Sequence, residues 1–363
     1  MKNLFNAYIC FAFLNLAVPA VCLAQETGIN NSSSEKGLFE SDEILEITIS
    51  GLTKDLLKDR SDNAKEHPMN ILYKSEDGTE ISLAAELKTR GHFRRLMGNC
   101  TYPPLQVNFT ENDTLDSSIF KGQNKLKLVM PCSGDEYVIR EWLVYKLYNV
   151  ITPKSFRARL VKVTLNNTKN NKTESPFYGM LLESEKQMAE RNGGISIDTK
   201  MQPNRTEPNT FLTMAVFEYL IGNTDWSVQY LQNIKLVAAD SLAIPVTVAY
   251  DFDHSGLVSA PYAKPAAELR MQSVRERRYR GFCITDMKTF DPVIALYNEL
   301  KPAIYSVYTD CTLIDEKYKK NTLKYLDEFY ETINDPQKVQ EEFGYPCDPN
   351  GTGNVVIKGL REE

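Results

Sequence analysis

The sequence predicts an α+β fold in which a β-rich N-terminal half precedes a helical C-terminal half that carries one β-hairpin. Short segments of alternating, often β-branched apolar residues recur through 43–185, which is typical of strands. Apolar residues return at intervals of three and four through much of 186–345, which indicates helices. Within that second half, two apolar runs on either side of a short turn predict the hairpin. We therefore expect an N-terminal lobe over 43–185 and a C-terminal lobe over 186–345.

The predicted elements follow one another with little space between them. In the first half, strands are predicted at Ile44–Ile49, Met69–Lys74, Glu80–Thr89, Leu105–Phe109, Lys125–Met130, Arg159–Leu165 and Tyr178–Glu183. One helix, Asp135–Ile151, interrupts them and is stopped by Pro153. In the second half, Asn209–Ile221 is predicted to be a helix that Gly222 ends, and residues 291–340 are predicted to be helical again.

The N-terminus has the pattern of a secretory signal peptide over residues 1–24. Lys2 supplies a positive charge, an apolar run extends from Tyr8 to Ala24, and the run ends in small residues that permit cleavage after Ala24. A membrane anchor is the alternative, although the run is short for a transmembrane span. The polar segment 25–42 is expected to be a disordered linker, and 346–363 a C-terminal tail. This pattern predicts a secreted or periplasmic protein.

Composition and patterning disfavour three kinds of protein. Acidic residues outnumber basic ones by 48 to 42, giving a net charge of -6, whereas nonspecific nucleic-acid binders are usually basic. No later segment approaches the ~20 apolar residues that cross a bilayer, so a membrane-spanning protein is not expected. The chain has only three His and no Cys-x-x-Cys motif, which disfavours a zinc site.

Five cysteines remain after the signal peptide, which fits an oxidising compartment. They are Cys100, Cys132, Cys283, Cys311 and Cys347. Four of them could pair in three ways, and we expect neighbours within each half to pair. The expected disulfides are therefore Cys100–Cys132 and Cys283–Cys311.

The hairpin and the loop before it carry the candidate chemistry. Strands are predicted at Asn233–Ala238 and Ile244–Tyr250, and pairing about the turn between them sets Asn233 directly opposite Asp251. Opposite residues have Cβ atoms ~5 Å apart, so this amide and this carboxylate could share a divalent cation such as magnesium. Asp225, in the loop after the preceding helix, is expected to be a third oxygen-bearing group beside that cation.

This order of residues matches the catalytic segment of protein kinases. There, a loop Asp accepts the proton of the substrate hydroxyl, and a following Asn and a later Asp hold magnesium on the nucleotide phosphates. However, no His-Arg precedes Asp225, and Asp251-Phe-Asp253 stands in place of Asp-Phe-Gly. The chain is therefore not an ordinary protein kinase.

Over roughly residues 80–310, the sequence resembles the spore-coat CotH-type atypical protein kinase family, which includes secreted bacterial proteins. The resemblance rests on Arg90-Gly91, Lys125-Leu-Lys-Leu, Ile139-Arg140-Glu141, Tyr178-Gly-Met-Leu-Leu-Glu183, Asn223-Thr-Asp225, Asn233 and Tyr250-Asp-Phe-Asp253. It implies a bilobal protein-kinase-like fold that uses ATP and magnesium to phosphorylate Ser or Thr of a protein acceptor.

The resemblance also assigns roles to single residues. It makes Asp225 the catalytic base and places Arg90 in the nucleotide loop. Lys127 would contact the phosphates, with Lys125 as its competitor on the same strand face, and Glu141 would pair with the lysine. Glu183 would lie near the nucleotide base. The expected metal ligands are Asn233, Asp251 and Asp253.

Two other functions remain open at this stage. One is a binding or structural module that has lost catalysis, and the other is a hydrolase in which Asp225, Asp251 and Asp253 hold a cation that activates water. A basic cluster adds a further question, because it could be a solvated loop or a docking site for an acidic or phosphorylated partner. Its members are Arg275, Arg277, Arg278 and Arg280.

Overall fold

The first half of the chain forms a closed β-barrel in the computed structural model, which describes residues 37–96, 98–110 and 113–352. The predicted signal peptide, the linker up to residue 36 and most of the predicted tail lie outside these residues. The barrel strands are β1 (Leu45–Gly51), β2 (His67–Lys74), β3 (Glu80–Thr89), β4 (Leu105–Phe109), β5 (Lys125–Val129), β6 (Ala158–Asn167) and β8 (Phe177–Leu182), and the short β7 (Lys172–Thr173) extends from β6. Helices of this half are α1 (Thr53–Lys58), α2 (Asp113–Asp116) and α3 (Asp135–Ile151).

The predicted bilobal protein-kinase-like fold is wrong, because the strands close on themselves instead of forming the open sheet of an N-terminal lobe. Seven strands follow the order β1-β2-β3-β4-β5-β8-β6, and β6 then pairs with β1. This closing pair is parallel, with Leu45 beside Val161, whereas all other neighbours in the barrel are antiparallel. Closure depends on a contact between strands about a hundred residues apart, and the alternation of apolar residues is the same in an open sheet and in a barrel.

Alternation along the strands separates two hydrophobic cores. Ile47, Leu128 and Val163 belong to the cluster that fills the barrel. Leu160 of β6 and Met180 of β8 point away from the barrel interior and belong to a larger cluster shared with α3 and the C-terminal helices. The barrel wall around β5, β6 and β8 is therefore buried on both faces.

The second half is built from helices around a small antiparallel sheet. Its helices are α4 (Glu185–Arg191), α5 (Pro208–Ile221), α6 (Asp291–Thr309), α7 (Glu316–Ile333) and α8 (Pro336–Phe343), and its strands are β9 (Ile195–Ile197), β10 (Ile234–Ala238) and β11 (Val246–Ala249). The strand order is β11-β10-β9. In the part of the chain that the structure describes, no helix is long and apolar enough to cross a membrane.

The hairpin is present, but its predicted register is wrong by one residue. Ile234 pairs with Ala249, so Asn233 faces Tyr250, whose amide N donates to the Asn233 carbonyl at 3.0 Å. The expected direct pairing of Asn233 with Asp251 is therefore absent. The register of a hairpin is set by the type and length of its turn, which the alternation of the strands does not specify.

One predicted disulfide is confirmed and the other is wrong. Cys100 is bonded to Cys132, as expected. Cys283 is bonded to Cys347 instead of Cys311, which is a free thiol. The chain after α8 returns to the loop at Cys283, a long-range contact that pairing of sequence neighbours could not anticipate. The two disulfides fit an oxidising compartment.

Candidate active site

Gly222 and Gly256 allow the loop that carries Asp225 to approach the segment after the hairpin. Gly222 ends α5 in the left-handed conformation (φ 69°), and its carbonyl accepts from Gly256 N at 3.1 Å. A Cβ on Gly256 would lie 2.6 Å from the carbonyl oxygen of Val274, and one on Gly222 would collide with the Tyr325 hydroxyl. Only glycine fits this close approach. Consequently, Ile221 and Gly222 lie beside Gly256 and Leu257.

Asp225 is held by hydrogen bonds from both its backbone and its carboxylate. Its amide N donates to Asn223 Oδ1 at 3.0 Å, which fixes the loop as an Asx turn. Its carboxylate accepts from Gln232 Nε2 and, at 3.1 Å, from Asn233 Nδ2. Asn233 therefore lies at Asp225, eight residues away in sequence, instead of opposite Asp251.

The surroundings of Asp225 favour its protonated form. Burial raises the pKa of this carboxyl, and the negative charges of Asp253 and Asp251 raise it further. His254 and Arg280 oppose this effect without cancelling it. Asp225 therefore has a higher affinity for a proton than an exposed aspartate.

Asp251, at the end of the hairpin, forms an ion pair with the barrel. Lys127 of β5 places Nζ 3.0 Å from Asp251 Oδ1, and the Lys127 side chain is only 13% exposed. The Asp251 amide donates to the Tyr145 hydroxyl at 2.8 Å. Lys125, the competing lysine, is exposed to solvent. The structure thus identifies Lys127 as the lysine that reaches the candidate site.

The pKa of Asp251 moves in the direction opposite to that of Asp225. Burial raises it, but the charge and hydrogen bond of Lys127, together with Arg94 and Arg90, lower it by more. Asp251 is therefore ionised at neutral pH. The side chain of Arg90 lies close enough to contribute to this field from the end of β3.

A second ionic cluster lies beside this pair and is almost fully buried. Arg94 Nη1 is 3.6 Å from Glu141 Oε2 and 3.5 Å from Asp253 Oδ2. Asp253 also accepts from the Tyr262 hydroxyl at 3.0 Å. Burial raises the pKa of Glu141 to about 8, helped by the charge of Asp253 and opposed by Arg94. The predicted Lys127–Glu141 pair is therefore replaced by a Lys127–Asp251 pair and an Arg94–Glu141 pair.

Glu183 is committed to an ion pair of its own. Its carboxylate accepts from Arg191 Nε at 3.0 Å and Arg191 Nη2 at 2.8 Å. It also accepts from the backbone N of Arg157 at 3.0 Å. Leu182 of β8 pairs with Lys127 of the neighbouring strand β5, and Glu183 is the next residue after Leu182.

Sequence reasoning assigned no role at this site to several of its residues. They are Arg94, Tyr145, Gln232, His254, Tyr262 and Arg280. One sequence feature could have indicated Arg94, namely the pair Arg94-Arg95 just after Arg90-Gly91. These arginines lie in a short 3₁₀ turn, and arginines beside acidic residues are suited to forming ion pairs with them.

The backbone is strained at two of the predicted ligands. Asn233 (φ 51°) and Asp251 (φ 64°) adopt the left-handed conformation, and so does Leu231 (φ 53°). Asn and Asp tolerate this conformation better than leucine, and such outliers tend to cluster at functional sites. The strain therefore supports a functional role for the segment 231–251.

The oxygen donors at this site suit a hard cation held jointly with a ligand. Among the residues described, no group of three or more His, Cys, Asp and Glu side chains is arranged to hold a metal by itself. Magnesium at phosphoryl-transfer sites usually takes one or two carboxylates, and phosphate oxygens and water complete its shell. Asp251 and Asp253, two residues apart, and the amide oxygen of Asn233 offer donors of this kind. The donor chemistry fits magnesium bound together with a phosphate.

The arginines of the basic cluster bind the fold itself, and only Arg275 among them is exposed. Arg277 donates to the Leu220 carbonyl at 3.2 Å and stacks 3.5 Å above the Tyr325 ring. Arg280 donates to the carbonyls of Thr224 and Trp226, on either side of Asp225. The other two members are held likewise, Arg275 through Gly256 and Arg278 through Tyr345 and Thr352. Arg280 thus fixes the loop that carries Asp225.

Comparison of the sequence with protein-family models and with curated proteins finds no match. The resemblance to the CotH-type kinases therefore remains a hypothesis that rests on the motifs themselves.

Proposed function

We propose that this protein is a secreted, ATP- and magnesium-dependent phosphotransferase that phosphorylates Ser or Thr of a protein acceptor. The observation that carries the proposal is the contact of Lys127 Nζ with Asp251 Oδ1 at 3.0 Å, next to the hydrogen-bonded pair of Asp225 and Asn233. Phosphoryl transfer needs a cation for the phosphates, oxygen ligands for magnesium and a carboxylate for the acceptor hydroxyl. Function depends on such a site more than on the fold around it, so the closed barrel is compatible with this chemistry.

The cationic side chains would bind the phosphates. Lys127 and Arg90 both lie within electrostatic reach of Asp251, and Arg94 is held behind them by Glu141 and Asp253. Asp251, Asp253 and the Asn233 amide oxygen would hold magnesium. When bound, the ion would neutralise the charge that develops on the phosphate oxygens.

Asp225 would act on the acceptor. Its raised pKa improves proton acceptance, and its bonds from Gln232 and Asn233 fix the carboxylate. In the transfer, the acceptor oxygen bonds to the γ-phosphorus, the bond from that phosphorus to the β–γ bridging oxygen breaks, and the hydroxyl proton passes to Asp225. ADP leaves with the electron pair of the broken bond.

The place of action follows from the N-terminus and the cysteines. The predicted signal peptide would be cleaved after Ala24, and the two disulfides fit the oxidising environment beyond the cytoplasmic membrane. The acceptor would then be another exported protein.

The direct test is transfer of labelled phosphate from γ-labelled ATP to a Ser/Thr-rich protein acceptor, with and without magnesium. We expect magnesium-dependent labelling by the wild-type protein and almost none by Asp225→Asn. Release of free phosphate without labelling of any protein would indicate a hydrolase instead. If the protein neither binds ATP nor transfers phosphate, the proposal is contradicted. The protein would then be a binding or structural module without catalysis.

A further inference from the structure

A buried glutamate in helix α5 has no role in the site described above. Glu218 is 0% exposed and is surrounded in its helix by buried apolar residues such as Phe217 and Leu220. Neither of its carboxyl oxygens has a hydrogen-bond partner within the described part of the chain. Burying an unpartnered carboxyl is costly, and a leucine or methionine would pack there at lower cost. The glutamate therefore calls for an explanation other than packing.

A second unmatched polar group lies close to Glu218, in the turn that carries Asp225. Asn223 is 1% exposed, and its Nδ2 is also buried without a partner. Its backbone N donates to the carbonyl of Glu218 at 2.8 Å across the end of the helix. The Asn223 side chain lies close enough to lower the pKa of the Glu218 carboxyl, although the two groups do not meet full hydrogen-bond geometry. An unused donor and an unused acceptor thus lie side by side.

The other end of the Asn223 amide is already engaged. Its Oδ1 accepts from the backbone N of Asp225 at 3.0 Å. The orientation of this amide therefore sets the backbone of the proposed base. Burial raises the pKa of Glu218 well above its ordinary value, which favours the neutral carboxyl, and the C=O of a neutral carboxyl is still an acceptor.

We propose that Glu218 is a positioning residue that accepts a hydrogen bond from Asn223 Nδ2 and thereby holds Asn223 Oδ1 against the amide of Asp225. The chain of contacts runs from Glu218 through Asn223 to Asp225, and Glu218 does not touch the substrate. This assignment deepens the proposed function and rests on it for its catalytic consequence. The positioning itself is independent of catalysis and can be measured without it.

Two substitutions separate positioning from packing. Glu218→Met keeps the size of the side chain but removes the acceptor, whereas Glu218→Gln keeps a neutral acceptor. We expect Glu218→Met to exchange the backbone amide hydrogen of Asp225 about tenfold faster, because one hydrogen bond is loosened. Its melting temperature reflects two opposed changes, because a buried carboxyl leaves the core while the buried Asn223 Nδ2 loses its acceptor. Glu218→Gln should match the wild type in both measurements.

The catalytic readout uses the same variants. If the proposed function holds, Glu218→Met should lower kcat for phosphotransfer about tenfold with an unchanged Kd for magnesium–ATP, and Glu218→Gln should not. A wild type that transfers no phosphate would refute the proposed function and leave the exchange measurement intact.

The exchange measurement alone decides the positioning. A folded Glu218→Met protein with wild-type exchange at Asp225 would overturn it. Should Glu218→Met fail to fold, Glu218→Gln decides: wild-type protection of Asp225 supports the proposal, and its loss overturns it.

Discussion

Asp225 and Asp251 are close enough to influence each other, yet their surroundings shift their pKa values in opposite directions. Asp251 lies just after β11, against Lys127, and this cation overcomes the effect of burial and keeps the carboxylate charged. Asp225 lies in a loop held by neutral amides, where burial dominates and raises its pKa. Environments that separate two pKa values in this way assign different tasks to chemically identical groups. Asp251 is suited to holding a cation, and Asp225 to accepting a proton.

Replacing Asp225 should have the largest effect on activity. Asp225→Asn retains the shape of the side chain but removes the base, and general-base assistance contributes about 10²–10⁴-fold in rate. We expect phosphotransfer to fall by that factor while the Kd for magnesium–ATP stays nearly unchanged. Initial rates of labelled transfer, beside calorimetric titration with ATP, check both parts. An Asp225→Asn protein that loses ATP binding as well would place Asp225 on the metal instead.

Removing Lys127 tests the charged half of the site. In Lys127→Ala, the phosphates lose a cation and Asp251 loses the partner that keeps its pKa low. We expect about tenfold weaker binding of magnesium–ATP, on the basis of one lost charge-assisted contact. Lys125→Ala is the matched control, because Lys125 is two residues away on the same strand and exposed. Equal losses in the two variants would show that β5 contributes only general positive charge.

Glu141 extends the comparison to the dependence of stability on pH. Its pKa rises from 4.5 to about 8, so the folded protein binds this proton more tightly than the unfolded chain. The stability that this group contributes is complete below about pH 4.5 and is lost as pH rises through about 8. The slope can reach about 1.4 kcal/mol per pH unit.

Glu141→Gln should remove that loss, so its free energy of unfolding should vary less between pH 5 and 8 than that of the wild type. Urea titrations at several pH values measure the difference. Glu136→Gln, at an exposed position in the same helix, is the control and should follow the wild type. Parallel pH profiles for Glu141→Gln and the wild type would mean that Glu141 has no raised pKa.

The smallest effect concerns the cysteines. With Cys283 bonded to Cys347, the mature protein should label one thiol, Cys311, under denaturing and non-reducing conditions. Cys347→Ser should label two thiols, because Cys283 is released. The Cys283–Cys311 pairing expected from sequence would instead leave Cys347→Ser with no free thiol. Mass spectrometry after alkylation separates these outcomes.

Local features of the fold could be predicted from the sequence, but contacts between distant segments could not. The helix α3 has the predicted bounds Asp135–Ile151, because its apolar spacing and Pro153 are local signals. Barrel closure depends on pairing β1 with β6, and nothing in either strand specifies its partner. The predicted hairpin register was wrong for a related reason, since it depends on the conformation of the turn between the two strands.

The candidate site shows the same division. Lys127, Asp225 and Asp251 could be chosen because each occupies a recognisable place at a strand or loop. The partner of each residue could not be predicted. Arg94 lies in a turn that had no predicted role, and it pairs with Glu141, the residue expected to pair with Lys127. Asp253 was expected as a metal ligand, and its contacts with Arg94 and Tyr262 became evident only in three dimensions.

The central claim is that Asp251 holds the cation and Asp225 accepts the proton. Its most direct test is the rise in melting temperature that ATP causes, measured with and without magnesium in the wild type, Asp251→Asn and Asp225→Asn. A ligand that binds only the folded state raises the melting temperature by mass action. We predict a magnesium-dependent rise in the wild type, an equal rise in Asp225→Asn, and at least about tenfold weaker apparent ATP affinity in Asp251→Asn. An undiminished ATP response in Asp251→Asn, or no response in the wild type, would contradict the account.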